Sequence, residues 1–168
     1  VVLLSENGGK LTLSSPTITA NCDLTIDCDI ISVKPITLKA SKDKVITINR
    51  EGAKFGTISG TKTSKLIVNA DISAETIKTF ASIDTDTNIL TITKGLSGAN
   101  IGTATLEYDP AIAKKIVIPE ITGKLTFVTD VLKSGTTIFQ YSGKTAFDGS
   151  KVTIGDGKLG SEEHTSEL

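Results

Sequence analysis

The sequence has 168 residues, a formal net charge of −1, 4% aromatic residues and neither Trp nor Met. This composition suits one domain, or one piece of a repetitive protein, whose core consists of stacked aliphatic side chains. The lysines are dispersed and no basic run carries interleaved aromatic residues, so we expect no nucleic-acid partner. No apolar stretch reaches the roughly 20 residues of a membrane-spanning helix, so we expect no membrane-spanning segment.

Short segments in which apolar or β-branched residues alternate with polar ones follow one another along the chain, separated by Gly, Pro, Asn, Asp or Ser. This period of two predicts strands throughout. The segment DISAETIKTFASI at 71–83 could place Ile72, Thr76, Ile77 and Phe80 on one helical face. It contains Thr and Ser and lacks Leu, however, so a pair of strands is at least as well supported. The predicted strands are KLTLSS, PTITAN, CDLTID, CDIISV, KPITLK, KVITIN, SKLIVN, NILTIT, TATLEY, GKLTFV, TTIFQY and KVTIGD.

Two repeats indicate a solenoid rather than a sandwich. A six-residue repeat places apolar residues at Ile18, Leu24, Ile30 and Ile36 and ends after Ala40. A longer repeat returns TANCDLT, around Asn21, as IVNADIS, around Asn69. Because Asn tolerates left-handed backbone and bonds neighbouring turns, we expect these Asn residues at tight corners between stacked coils.

The run of LTL, TIT, LTID, TISG and KLIVNADIS between Leu11 and Gly160 resembles the β-strand-repeat passengers of bacterial autotransporters and filamentous haemagglutinin-like adhesins. That resemblance implies an all-β fold, a right-handed parallel β-helix, with about seven coils of about 20 to 25 residues. It also implies a secreted adhesin segment at the bacterial cell surface, with a host-surface protein or glycan as partner. It supplies no catalytic, cofactor-binding or metal-binding residues. The alternative fold is an antiparallel β-sandwich, for instance tandem immunoglobulin-like domains, against which the missing core Trp argues.

The final eight residues, SEEHTSEL at Ser161–Leu168, resemble the translation of a sequencing adapter and differ from everything before them. We therefore expect residues 1–160 to be a fragment of a longer passenger that stacks on flanking coils of its parent chain, and 161–168 to be a disordered artefact. Without the tail the chain has 18 basic and 16 acidic residues, a formal charge of +2. The tail also holds the only histidine, His164, so chemistry based on histidine is excluded from the remainder.

Cys22 and Cys28 are the only cysteines. An extended chain would hold them roughly 20 Å apart, so a disulfide requires a turn between them. Asp27 and Asp29 could supply that turn, and both outcomes stay open, with free thiols favoured. Two cysteines without histidine are too few for a zinc site.

Acidic residues provide the only candidates for catalysis. The DTDTN segment at 84–88 begins like a calcium loop, but Ile89 and Gly95 stand where an EF-hand needs Gly and Glu. Asp84 with Asp86, or Asp27 with Asp29, could act as acid and base in a β-helical enzyme that cleaves polysaccharides. A solvated turn is the simpler interpretation of these residues. SGKT at 142–145 lacks the first glycine of a phosphate-binding loop, since position 138 is Ile138.

We therefore expect a non-catalytic structural and adhesive segment without cofactor, metal or catalytic residues. The alternative is a β-helical polysaccharide-cleaving enzyme or a carbohydrate-binding module. A groove in which carboxylates and basic residues converge would favour that alternative.

Overall fold

A computed structural model describes residues 1–4, 9–108, 115–128, 138–154 and 157–158. The described residues form 18 short β-strands and one 3₁₀ turn at Gly149–Lys151. The strands are β1 Val2–Leu4, β2 Lys10–Thr12, β3 Thr17–Ala20, β4 Leu24–Asp27, β5 Asp29–Ile31, β6 Ile36–Ala40, β7 Val45–Ile48, β8 Lys54–Ser59, β9 Lys65–Val68, β10 Ile72–Lys78, β11 Ser82–Asp84, β12 Ile89–Ser97, β13 Asn100–Tyr108, β14 Lys115–Ile118, β15 Glu120–Phe127, β16 Ile138–Tyr141, β17 Val152–Ile154 and β18 Gly157–Lys158.

Parallel pairing between successive coils builds the fold. One stack runs β1, β4, β7, β9, β11, and a second runs β3, β6, β8, β10, β12; the long strand β13 pairs with the last member of each and joins them into one sheet. Two smaller pairs, β2 with β5 and β14 with β16, are also parallel. Among the described strands, only β17 and β18 pair antiparallel. The described residues therefore form a parallel β-helix, as the sequence predicts, with about six turns instead of the predicted seven, and the antiparallel sandwich is wrong.

Inward side chains stack in register along the coils. Along the first stack and on through β13 and β15, each residue of one row pairs with the next, at spacings of 22, 20, 17, 18 and 20 residues. Two of these five coils are therefore shorter than the 20 to 25 residues that the resemblance implies. All members are buried and form the aliphatic core expected from the composition. The row is Leu24, Ile46, Leu66, Ile83, Ile101 and Ile121. Right-handed winding stays a prediction.

The six-residue repeat corresponds to consecutive sides of the early coils. Ile18, Leu24, Ile30 and Ile36 lie in four successive strands, β3 to β6, and the last three of these side chains are buried. The repeat ends after Ala40 because 41–44 forms a turn, which places Lys42 where the next apolar residue would fall and delays β7 to Val45. β10, β12 and β13 span seven to nine residues and contain register shifts where one side of the coil passes into the next.

The corners between strands contain Asn, as expected, but not in left-handed backbone. Asn21 lies between β3 and β4 and Asn69 between β9 and β10, whereas the described non-glycine residues with left-handed backbone are Asp43, Thr79 and Asp86. Asn contributes through side-chain contacts instead, since Asn69 Nδ2 donates to Asn49 Oδ1 of the preceding coil at 2.9 Å. A short polar side chain thus bonds coil to coil without requiring a strained backbone.

Two details complete the core. Tyr108 packs its ring against Phe127 with centroids 6.3 Å apart, and its buried hydroxyl has no hydrogen-bond partner among the residues that the structure describes. Burial raises the pKa of Tyr108 well above its ordinary value. Cys22 is exposed and Cys28 is buried, and both thiols are free.

No helix in the described part of the chain is long and apolar enough to span a membrane.

Candidate functional site

The first predicted carboxylate pair, Asp84 and Asp86, does not share a strand. Asp84 ends β11, where its Oδ1 accepts the backbone N–H of Thr103 at 3.0 Å. Asp86 lies exposed in the following turn with φ of 51°. Between them Thr85 is fully buried, and its Oγ1 accepts the N–H of Thr105 at 2.8 Å. The segment is thus a turn that ties one coil to the next.

The second pair, Asp27 and Asp29, flanks the buried Cys28 at a corner between β4 and β5. Asp27 forms an ion pair with Arg50 of the next coil, with Nε and Oδ1 3.1 Å apart, while Asp29 is exposed. Burial, followed by the charges of Asp29 and Asp27, raises the pKa of the Cys28 thiol, against which the Arg50 charge acts. A thiol held protonated in the core is a poor nucleophile, so this corner favours packing over chemistry.

The longer sequence repeat marks a recurring contact between coils. Asp23 Oδ1 accepts the N–H of Val45 at 3.0 Å, and Asp71 Oδ1 accepts that of Ile89 at 2.8 Å. In both cases the donor is the first residue of a strand one coil later. The sequence identified the repeat, but only the pairing between coils reveals what these carboxylates do.

An open groove of about 610 Å³ crosses the outward face of coils that contain β8, β10, β12 and β13. Lys54, Ser73, Thr91 and Glu107 lie side by side along it, because each pairs in register with the next. Asp71 and Glu51 also line this groove. Glu107 Oε2 accepts the Thr91 hydroxyl at 3.1 Å and Asp71 bonds Ile89, so two of the three carboxylates are engaged within the fold.

A second, more enclosed cleft of about 620 Å³ lies where successive coils turn a corner. Its lining combines cationic, hydroxyl and amide groups over a base formed in part by the buried residues Phe80 and Ala99. No single segment of the sequence predicts it, because the lining comes from five separate stretches of chain. The lining residues are Lys62, Phe80, Gly98, Ala99, Asn100, Glu120, Thr122, Ser142, Gly143, Lys144 and Thr145.

Glu120 is bound by the SGKT segment at the edge of this cleft. Its carboxylate accepts the N–H of Lys144 at 2.5 Å and that of Thr145 at 3.1 Å, and also the Thr145 hydroxyl. Hydrogen bonds from the Thr145 hydroxyl and backbone lower the pKa of Glu120, with smaller contributions from Lys144 and the charge of Lys151. The SGKT segment, which lacks the first glycine of a phosphate-binding loop, therefore binds the carboxylate of Glu120 in the same chain.

No group of three His, Cys, Asp or Glu side chains suited to a metal ion occurs among the residues that the structure describes. Comparison of the chain with protein-family models, curated proteins and solved structures finds no match. The functional assignment therefore depends on the groove, the cleft and the contacts between coils.

Proposed function

We propose that this chain is a non-catalytic structural and adhesive segment of a secreted bacterial surface protein of the autotransporter type. The observation that carries this proposal is the use of Asp23, Asp71 and Asp84 as acceptors for backbone N–H groups of the next coil. Carboxylates that complete the stacking of coils are poorly placed to transfer protons to a substrate, because each such transfer would disrupt a contact that supports the fold.

The geometry suits a spacer. With strands about 4.8 Å apart, about six turns would extend a stalk by roughly 29 Å. Because each coil contacts mainly its neighbours, such a segment adds length without requiring a new core. Its outward Thr, Ser and Lys side chains keep the strands hydrated and leave long faces available for contact with a partner.

Display of the chain on a bacterial surface tests the proposal. We expect a fusion placed outside a translocating membrane domain to be exported, to be accessible to added protease, and to increase attachment of the bacteria to host cells or glycan-coated plates. A matched fusion carrying an unrelated domain of similar size is the control. Export without any gain in attachment would leave only a spacer role, and failure of export would overturn the assignment to a surface protein.

The open groove supports a second candidate, a polysaccharide-cleaving enzyme, because Glu51 and Lys54 line it and their side chains make no hydrogen bond or ion pair within the described residues. Release of reducing sugar from a panel of polysaccharides distinguishes the two functions. We expect none above that of a heat-denatured sample. Release that disappears in a Glu51→Gln or Glu107→Gln variant would establish the enzyme instead.

A further inference from the structure

The cleft contains cationic and amide groups that the fold does not use. Within the described residues, the ammonium groups of Lys62 and Lys144 and the side-chain amide of Asn100 make no hydrogen bond or ion pair. The neighbouring hydroxyls of Thr122 and Ser142 donate to backbone carbonyls of Ile101 and Ile118, at 3.0 and 3.4 Å. Unlike those hydroxyls, the two lysines and the amide remain available for a ligand.

Within the described residues Glu120 forms no ion pair with either lysine side chain, and its single negative charge leaves the lining with a formal charge of 2 − 1, or +1. Its two oxygens are occupied by the backbone N–H groups of Lys144 and Thr145 and by the Thr145 hydroxyl. The loop thus stabilises the one carboxylate of the lining, while two ammonium groups stay unpaired beside it. An anionic ligand would pair with those groups in a partly enclosed site, where charge-assisted hydrogen bonds are stronger than at an open surface.

The adjoining sheet continues this cationic surface. Lys39 and Lys78 pair in register with Ser59, which lies between them, so the two exposed lysines are two strands apart, roughly 10 Å. The row is completed by the hydroxyl residues Thr19 and Ser97 at its two ends and contains no carboxylate. It approaches the cleft, because Lys78 is followed at once by the corner that contributes Phe80.

The lining favours a sugar over a peptide. Phe80 and Ala99 give an apolar base beneath a polar rim, and the volume lies within the range of small-ligand sites. Extended peptides commonly bind by adding a strand to a free sheet edge. At this corner β11 already pairs with β9 and β13, and β13 pairs with β11 and β15, so neither β11 nor β13 offers a free edge there.

We propose that the cleft binds the carboxylate of an acidic sugar, with Lys62 and Lys144 pairing with the carboxylate and Asn100 bonding a sugar hydroxyl. This assignment rests on the proposed adhesive function, for which it names the ligand class. The carboxylate can belong to a uronate within a linear polysaccharide or to an acidic sugar at the end of a glycan. In the first case the chain continues over Lys78 and Lys39, and in the second it does not.

Titration calorimetry of the full chain at low salt separates these cases, with alginate oligomers as the uronate probe, sialyllactose as the end-group probe and maltotriose as the neutral control. We expect binding of at least one acidic probe and none of maltotriose. The double variant Lys62→Ala/Lys144→Ala should weaken binding about tenfold or more, since it removes two charge-assisted contacts. Lys39→Ala/Lys78→Ala should weaken the binding of the alginate oligomers by about threefold and leave the affinity for sialyllactose unchanged.

The matched control is Lys10→Ala/Lys34→Ala, which removes the same charge from exposed positions outside both the cleft and the open groove and should change affinity by less than about twofold. Equal losses in the control and cleft variants would show nonspecific attraction and overturn the site. Tighter binding of polyglutamate than of either sugar would overturn the ligand class. If neither acidic sugar binds while the surface display of the chain still increases attachment, this inference fails and the proposed function stands.

Discussion

Thr85 provides the sharpest test of how the coils hold together. Its side chain is fully buried, and its Oγ1 accepts the backbone N–H of Thr105 in the next coil at 2.8 Å. Thr85→Val keeps nearly the same shape but removes that acceptor. An N–H left unsatisfied in the core costs about 1–3 kcal/mol, so we expect the free energy of unfolding to fall by this amount.

Urea denaturation followed by circular dichroism measures the global loss, and hydrogen exchange measures the local one. The amide of Thr105 should exchange roughly 5- to 150-fold faster in Thr85→Val, which is the same 1–3 kcal/mol expressed as an opening equilibrium. Thr85→Ser retains the acceptor and should keep this amide protected. Thr57→Val, at an outward position, should change stability by less than about 0.5 kcal/mol. If Thr85→Val is as stable as Thr57→Val and the Thr105 amide stays protected, the reasoning is refuted.

Further predictions concern a glycine, the two thiols and one carboxylate. Gly102→Ala should destabilise the chain by about 1–3 kcal/mol, because the added Cβ would collide with the carboxylate of Asp84. The control is Gly95→Ala, whose Cβ would face open space and which should be neutral in the same urea titration. At pH 8 a thiol reagent should label Cys22 alone, and Cys28 should react only after denaturant is added; labelling of both in the native state would contradict the burial. Because the folded pKa of Glu120 is lowered, its contribution to anchoring the 141–147 loop is present above the unfolded pKa and is lost as pH falls through the folded value. Proteolysis of this loop should therefore increase under acid conditions in the native chain, and Glu120→Gln should show that increase already at neutral pH.

Local pattern predicted much of the fold because a strand with one buried face alternates residue by residue. KVITIN and SKLIVN became β7 and β9, and the ambiguous segment at 71–83 folds as β10 and β11. The pattern missed β8, which carries Gly56 in its middle, and β14, whose apolar run lacks clear alternation. The local sequence therefore predicts a strand, except where a glycine or a continuous apolar run removes the alternation of polar and apolar residues.

The candidate cleft could not be predicted in the same way. Lys62 and Lys144 are 82 positions apart in the sequence and line one cleft only because the intervening coils stack with a particular register. Glu120 likewise finds its partners 24 and 25 residues later. Coil lengths set that register, and they vary along the chain, so no fixed spacing in the sequence marks the site. The sequence shows the aspartates of the longer repeat, but it does not show that they accept hydrogen bonds from the next coil.

Those aspartates also have a consequence for a stack that is still growing. Asp23, Asp71 and Asp84 each accept from a coil that comes later in the chain, so a half-built stack would end in carboxylates whose partners have not yet arrived. Negative charge at an unfinished sheet edge repels another such edge, as gatekeeper charges do on natural edge strands. The same carboxylates then accept the N–H groups of the next coil when it docks. At these three junctions, the carboxylate that repels an incorrect sheet edge is also the one that accepts the hydrogen bond of the correct next coil.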